Sequence, residues 1–232
     1  MKIETILGWI DKALDVGAFD DVSNNGLQLA RGGEEVTTVA FAVDASVKSV
    51  REAVKAGAQL LVVHHGISWG GGIKRLTGGI YNVVAEAMKH DLAIAGYHLP
   101  LDANRRYGNN YEIAREMKLK KLRPKFSYHG NVIGVVGENE RGELIGICSG
   151  GAGAFAEDAK RIGCVKFITG EADWGEVIAA ENVGMEMECR GHYETETYGV
   201  SALARGLKKA FKQLKVVNLT HGRGGKLTEN MV

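Results

Sequence analysis

Three short segments of this 232-residue chain carry side chains of the kind that bind transition metals. LLVVHH ends in His64 and His65, YHLPLDAN carries His98 and Asp102, and GHYETETYG carries His192 and Glu196. Imidazole nitrogens with two carboxylates suit Zn, Mn, Fe or Co. The set is too rich in nitrogen for Mg or Ca alone. Each segment also has an ordinary explanation. Histidine serves many roles at a strand end, a His and a Glu four apart on a helix are commonly a solvated ion pair, and Asp102 could simply open a turn. Their common position after apolar strands favours ligation, because ligands of open α/β sheets bind beyond the carboxyl ends of the strands.

The elements that must position them follow from periodicity. His64 and His65 terminate a buried strand, and both can serve one site only where the strand ends and the backbone turns, as Gly66 permits. Pro100 argues against a helix, which places His98 and Asp102 on an irregular segment. If a helix starts around residue 193, His192 and Glu196 stand one turn apart on one face.

Helical spacing covers residues 4–15, with Ile6, Trp9, Ile10 and Leu14 on one face, and the polar VSNNGLQLA then reads as a loop with an Asn25-Gly26 turn. The strand VTTVAFAVD, a helix over 46–56 and the strand QLLVVHH form a βαβ unit. A helix bearing Ile80, Val83, Val84, Ala87 and Met88 leads to the strand LAIAGYH. After Arg123-Pro124, NVIGVVG and ELIGICS read as an antiparallel hairpin, followed by helices near 154–162 and 173–182, strands VKFIT and MEMECR, a helix over 194–213 and a final strand KVVNLT. The expectation is two α/β lobes, 1–125 and 126–232, with mixed, largely parallel sheets and the metal site in the cleft between them.

The runs AGAQLLVVHHGISW, AIAGYHLPLDANRRYGNN and CRGHYETE, with SNNGLQLA and SGGAGAF, resemble the signature segments of the NGG-interacting factor 3-like family, also called the GTP cyclohydrolase I type 2 family. The resemblance spans almost the whole chain in order. It implies a two-metal site with His64, His65, Asp102, His192 and Glu196 as ligands, Glu196 bridging, and a ring-shaped homohexamer. The chain departs from the pattern at Asn24, where many members carry proline, and it lacks the insertion domain of the longer members.

Other motifs are weaker. Gly151, Gly153 and Ala156 fit a dinucleotide fingerprint with Glu171 about twenty residues on, but the pattern comes late in the chain, and a backbone anion site at that helix start is the better reading. No Walker A sequence exists, and neither Ser68 nor Ser149 has a G-x-S-x-G setting. Arg105, Arg106 and the basic run 118–125 read as a solvated face.

Composition limits the partners. With 45% hydrophobic and 25% charged residues the chain is of ordinary globular type. Lys and Arg number 29 against 28 acidic residues, so a nucleic-acid partner is not expected. The charge-broken start is neither a signal peptide nor a membrane span. Cys148, Cys164 and Cys189 read as buried thiols of a cytoplasmic protein.

The leading expectation is a metal-dependent hydrolase of a nucleotide-like substrate, of GTP cyclohydrolase type. Two divalent ions would activate water, Glu196 would act in catalysis, His98 would either support a ligand or move protons, and Glu171 and Tyr193 would line the pocket. The alternatives are a metal carrier and a regulatory or interaction scaffold without turnover.

Overall fold

The computed structural model describes residues 1–220, so the tail after Thr220, to which the sequence assigned no role, lies outside the described residues. Two compact units emerge. The first comprises residues 1–101 and 200–220, the second residues 102–199. The expected change of lobe at 125/126 falls inside strand β5 (Lys120–Tyr128), whereas the chain passes between units at 101/102 and again at 199/200. The return arises because the last strand pairs with the first sheet.

That sheet has the order β1-β4-β3-β2-β10, from β1 (Gly26–Leu29), β2 (Thr38–Asp44), β3 (Leu60–His65), β4 (Ala93–Gly96) and β10 (Lys215–Asn218). β10, β2, β3 and β4 are parallel, and β1 is antiparallel to β4. β2 is buried from Thr38 to Val43 and β3 from Leu60 to His64, as strands covered on both faces must be. Helices α1 (Ile3–Leu14), α2 (Val47–Lys55) and α3 (Gly78–Lys89) supply the apolar cover. In α1 the buried face is Ile3, Ile6, Leu7, Ile10 and Leu14, while Trp9 packs edge-on against Phe211. A capping box between Ser46 and Ser49 fixes the start of α2. Met88, expected on the buried stripe of α3, is 65% exposed, because the contact ends one position earlier at Ala87.

The second sheet has the order β5-β6-β7-β8-β9, adding β6 (Asn131–Glu138), β7 (Leu144–Gly151), β8 (Cys164–Glu171) and β9 (Glu186–Cys189). β6 and β7 form the expected antiparallel pair, and β7, β8 and β9 are parallel. The basic run is part of the edge strand β5, whose lysines face solvent. Charge and Pro124 suit such an edge, where they discourage pairing with another chain.

Two local expectations are corrected. The segment after His98 is a short helix, α4 (Leu99–Ala103), with Pro100 in its first turn, where a missing N–H costs nothing. It is followed by α5 (Asn109–Glu116). Cys148 and Cys164 are buried, but Cys189 at the end of the edge strand β9 is exposed. The remaining helices are α6 (Ala156–Arg161), α7 (Trp174–Asn182) and α8 (His192–Ala210). Among the described residues no helix is long and apolar enough to cross a membrane.

Candidate functional site

In the first unit His64, His65 and His98 come together, with ligand atoms all within 4.8 Å of one another. Three neighbouring strand ends produce this cluster. His64 is fully buried, and its Nδ1 lies 3.0 Å from the carbonyl oxygen of Tyr97, just past β4. A carbonyl only accepts, so Nδ1 carries the proton and the ring's lone pair is on Nε2. In the β2–β3 register Asp44 pairs with His65, and its Oδ1 accepts from His65 Nδ1 at 2.8 Å. His98 Nδ1 donates to Asp21 Oδ1 at 3.0 Å. All three rings therefore carry a proton on Nδ1, the arrangement in which an acceptor orients an imidazole for metal binding or proton transfer at Nε2.

Asp21, Asn25 and Gln28, which the sequence reading left in a polar loop, build the support of this cluster. Asp21 also accepts from Ser23 N, Leu99 N and Asn25 Nδ2, and its side chain is 1% exposed. Burial by itself would raise its carboxyl, but the bonds from His98, Asn25 and Ser23 outweigh that and hold it at about 2. Asn25 Oδ1 accepts from His98 N. Gln28 Oε1 accepts from Ile67 N and Ser68 N, and a Cβ on Gly66 would lie 2.1 Å from that oxygen. Only glycine leaves room for Gln28 beneath the turn after His65. Asn24, at the position where proline was noted in relatives, donates its backbone N–H to Ser68 O, a bond that proline could not make.

The second unit holds the other donors. His192 opens α8, and its Nε2 lies 3.0 Å from Oε1 of Glu196 one turn later, with Glu196 buried. Its Nδ1 donates to Glu171 Oε1 at 2.9 Å from the end of β8. The hydrogen bond to Glu196 pushes His192 up to about 9 against the opposing effect of burial, with the charges of Glu196 and Glu171 adding to the rise. Glu171 thus orients a histidine, which leaves it no ribose-binding role of the dinucleotide kind, and α6 is only six residues long. Asp102, also buried, accepts through Oδ1 from Asn109 Nδ2 at 2.8 Å and Ser149 Oγ at 3.0 Å. The Gly-rich end of β7 passes beside the donors: a Cβ on Gly150 would lie 2.7 Å from Glu196 Oε1 and 3.3 Å from His192 Nε2. No signal in the sequence marked Asp21 and Asp44, because their partners lie 77 and 21 residues away.

His192 and Glu196 are nitrogen and oxygen donors of the type zinc, iron, manganese and cobalt share, as are the three histidines of the first unit. The donor set therefore fits the implied cofactor.

Comparison with known proteins gives the family. The chain matches the profile of the family Duf34/NIF3 (NGG1p interacting factor 3) over residues 1–144 and 130–222. A Pyrococcus horikoshii protein named "GTP cyclohydrolase 1 type 2 homolog" is 35% identical over 91% of this chain and 95% of its own length. One of the same name from Deinococcus radiodurans is 35% identical over 90% and 89%. The solved structure of protein ybgI superposes with a TM-score of 0.85 at 27% identity, covering 94% of this chain and 98% of its own. The chain belongs to the DUF34/NIF3 family.

Proposed function

We propose that the chain is a metal-dependent hydrolase of a nucleotide-like, phosphorylated small molecule. In this reading two divalent ions are held by His64, His65, Asp102, His192 and Glu196, and the protein assembles as a homohexamer. The observation that carries it is the common setting of four histidines, each with Nδ1 held by an oxygen acceptor. Such tethers are what an imidazole needs to bind a metal or to move a proton, and a solvated surface histidine has no use for one. The names of the relatives favour a nucleotide.

Bound there, the ions would supply Lewis acidity and bring the pKa of water towards neutrality. The chain's own groups hold and move protons. His192 donates from both ring nitrogens, to Glu171 and Glu196, so it must lose the Nε2 proton before it can ligate. His98, steadied on Asp21, takes or delivers a proton at Nε2.

The test is metal analysis of anaerobically purified protein and of His65→Ala and Glu196→Ala. Two equivalents in the parent that fall sharply in both variants support a shared dinuclear centre; loss of one equivalent in each variant would show two separate sites. Hydrolysis of a nucleotide panel by the metal-loaded parent tests turnover, and an unchanged panel removes the hydrolase. Light scattering should give a mass near six times 25.0 kDa.

A further inference from the structure

We infer that Trp69 is a stacking platform for a planar heteroaromatic ring of the ligand that approaches the His64–His65–His98 cluster. The inference rests on the nucleotide-like substrate proposed above and assigns the residue that reads its base.

Trp69 lies beside the cluster: its ring centroid is 5.0 Å from that of His98, nearly edge-on, and 6.1 Å from that of His65. Its one polar atom is already used, since Nε1 donates to Gly66 O at 3.0 Å. The residue is 38% exposed, and with Nε1 bonded the indole offers a ligand its aromatic carbons rather than a free polar group. Leaving such surface bare costs free energy unless something covers it.

The ring is also held still before any ligand arrives. Ser23 forms a β-bridge to Trp69, with Asn24 N donating to Ser68 O and Gly70 N to Val22 O on either side. Beneath, Gln28 accepts from Ile67 N and Ser68 N in the space that Gly66 leaves open. A Trp fixed at both its backbone and its indole nitrogen loses little entropy when a ring stacks on it. Trp174 is a useful contrast. It is 76% exposed at the start of α7, and its capping partners Asp173 and Glu176 steady the helix rather than the indole.

The experiment uses full-length protein carrying Trp9→Phe and Trp174→Phe, so that Trp69 alone emits, loaded with zinc, whose filled d shell gives no redox quenching. GMP is titrated against ribose 5-phosphate, which keeps sugar and phosphate but has no base. Saturable quenching by GMP and none by ribose 5-phosphate is expected. By equilibrium dialysis on the otherwise native protein, Trp69→Leu should weaken GMP binding roughly 5- to 150-fold, the span that base–aromatic stacking covers, with zinc content unchanged. Trp69→Phe should retain most of the affinity. Equal affinities for GMP and ribose 5-phosphate, unaltered GMP binding in Trp69→Leu, or no saturable GMP binding would each overturn the inference. GMP bound on Trp69 but never hydrolysed keeps this inference and removes the hydrolase. A Trp69→Leu variant that binds and hydrolyses GMP as well as the parent does the reverse.

Discussion

Replacing Gly150 with alanine separates backbone strain from damage to the donors. Gly150 has φ +69°, so an L-residue there costs about 1–2 kcal/mol, partly offset by about 0.4–1 kcal/mol from the stiffer unfolded chain. The added methyl group would sit 2.7 Å from Glu196 Oε1, so the carboxylate must retreat by roughly 0.7 Å to reach ordinary contact. Metal–ligand distances tolerate only about 0.2 Å. Stability should therefore fall modestly, because the end of a side chain can move, while zinc affinity falls at least about 10–100-fold, the range typical of displaced ligand geometry. Gly163→Ala is the control. Its φ is +88° and a Cβ there meets nothing within 4 Å, so it carries the backbone cost alone. Thermal unfolding of the metal-free variants should show the larger loss in Gly150→Ala, which also disturbs the His192–Glu196 pair, at about 2–4 °C for each kcal/mol in a chain of this size. Competition with a chromophoric chelator should show weakened zinc binding in Gly150→Ala only. Full zinc affinity in Gly150→Ala would refute the placement of Glu196 and His192 as ligands.

Other perturbations bear on the supports. Asp21 is held at about 2 against an ordinary 3.8, so its contribution to the metal-free protein is complete above pH 3.8 and lost as pH falls through 2. Asp21→Asn should flatten that part of the acid-unfolding curve; an unchanged curve would contradict the buried carboxylate. His192 is raised to about 9 from 6.5, so its pairing with Glu196 stabilises the metal-free protein fully below pH 6.5 and fades as pH rises through 9. The stability gap between parent and Glu196→Gln should narrow over that interval, and zinc affinity should climb with pH as the Nε2 proton becomes easier to displace. Asn110 is fully buried, donating to Ile133 O at 2.9 Å and accepting from Ser149 N at 2.7 Å. Asn110→Ala strips two buried backbone groups and should cost about 2–4 kcal/mol in urea unfolding; a loss well under 1 kcal/mol would mean that water replaces the side chain.

Strong periodicity made much of the fold readable. The apolar runs of β2 and β3, the stripe of α1 and the β6–β7 hairpin all appear where the pattern put them, because each owes its place to burial of its own side chains. β1 was read as a loop. Its four residues are only partly buried or exposed, and it exists as a strand because β4 supplies the hydrogen bonds, pairing Gly26 with Gly96. β5 was hidden in the same way by its lysines. α4 was lost to Pro100, whose meaning depends on whether it enters a helix or interrupts one.

By itself the sequence determined the types of side chain and the local setting of two pairs, since both are local properties. His64 and His65 follow an apolar run, and His192 and Glu196 share a helical face wherever the helix lies. Tertiary structure alone decided which acid orients which ring. Asp44 reaches His65 through the register of two parallel strands, Asp21 reaches His98 across 77 residues, and Glu171 reaches His192 from the end of another strand. A hydrogen bond needs about 3 Å of proximity, and only the packed chain brings such distant residues that close.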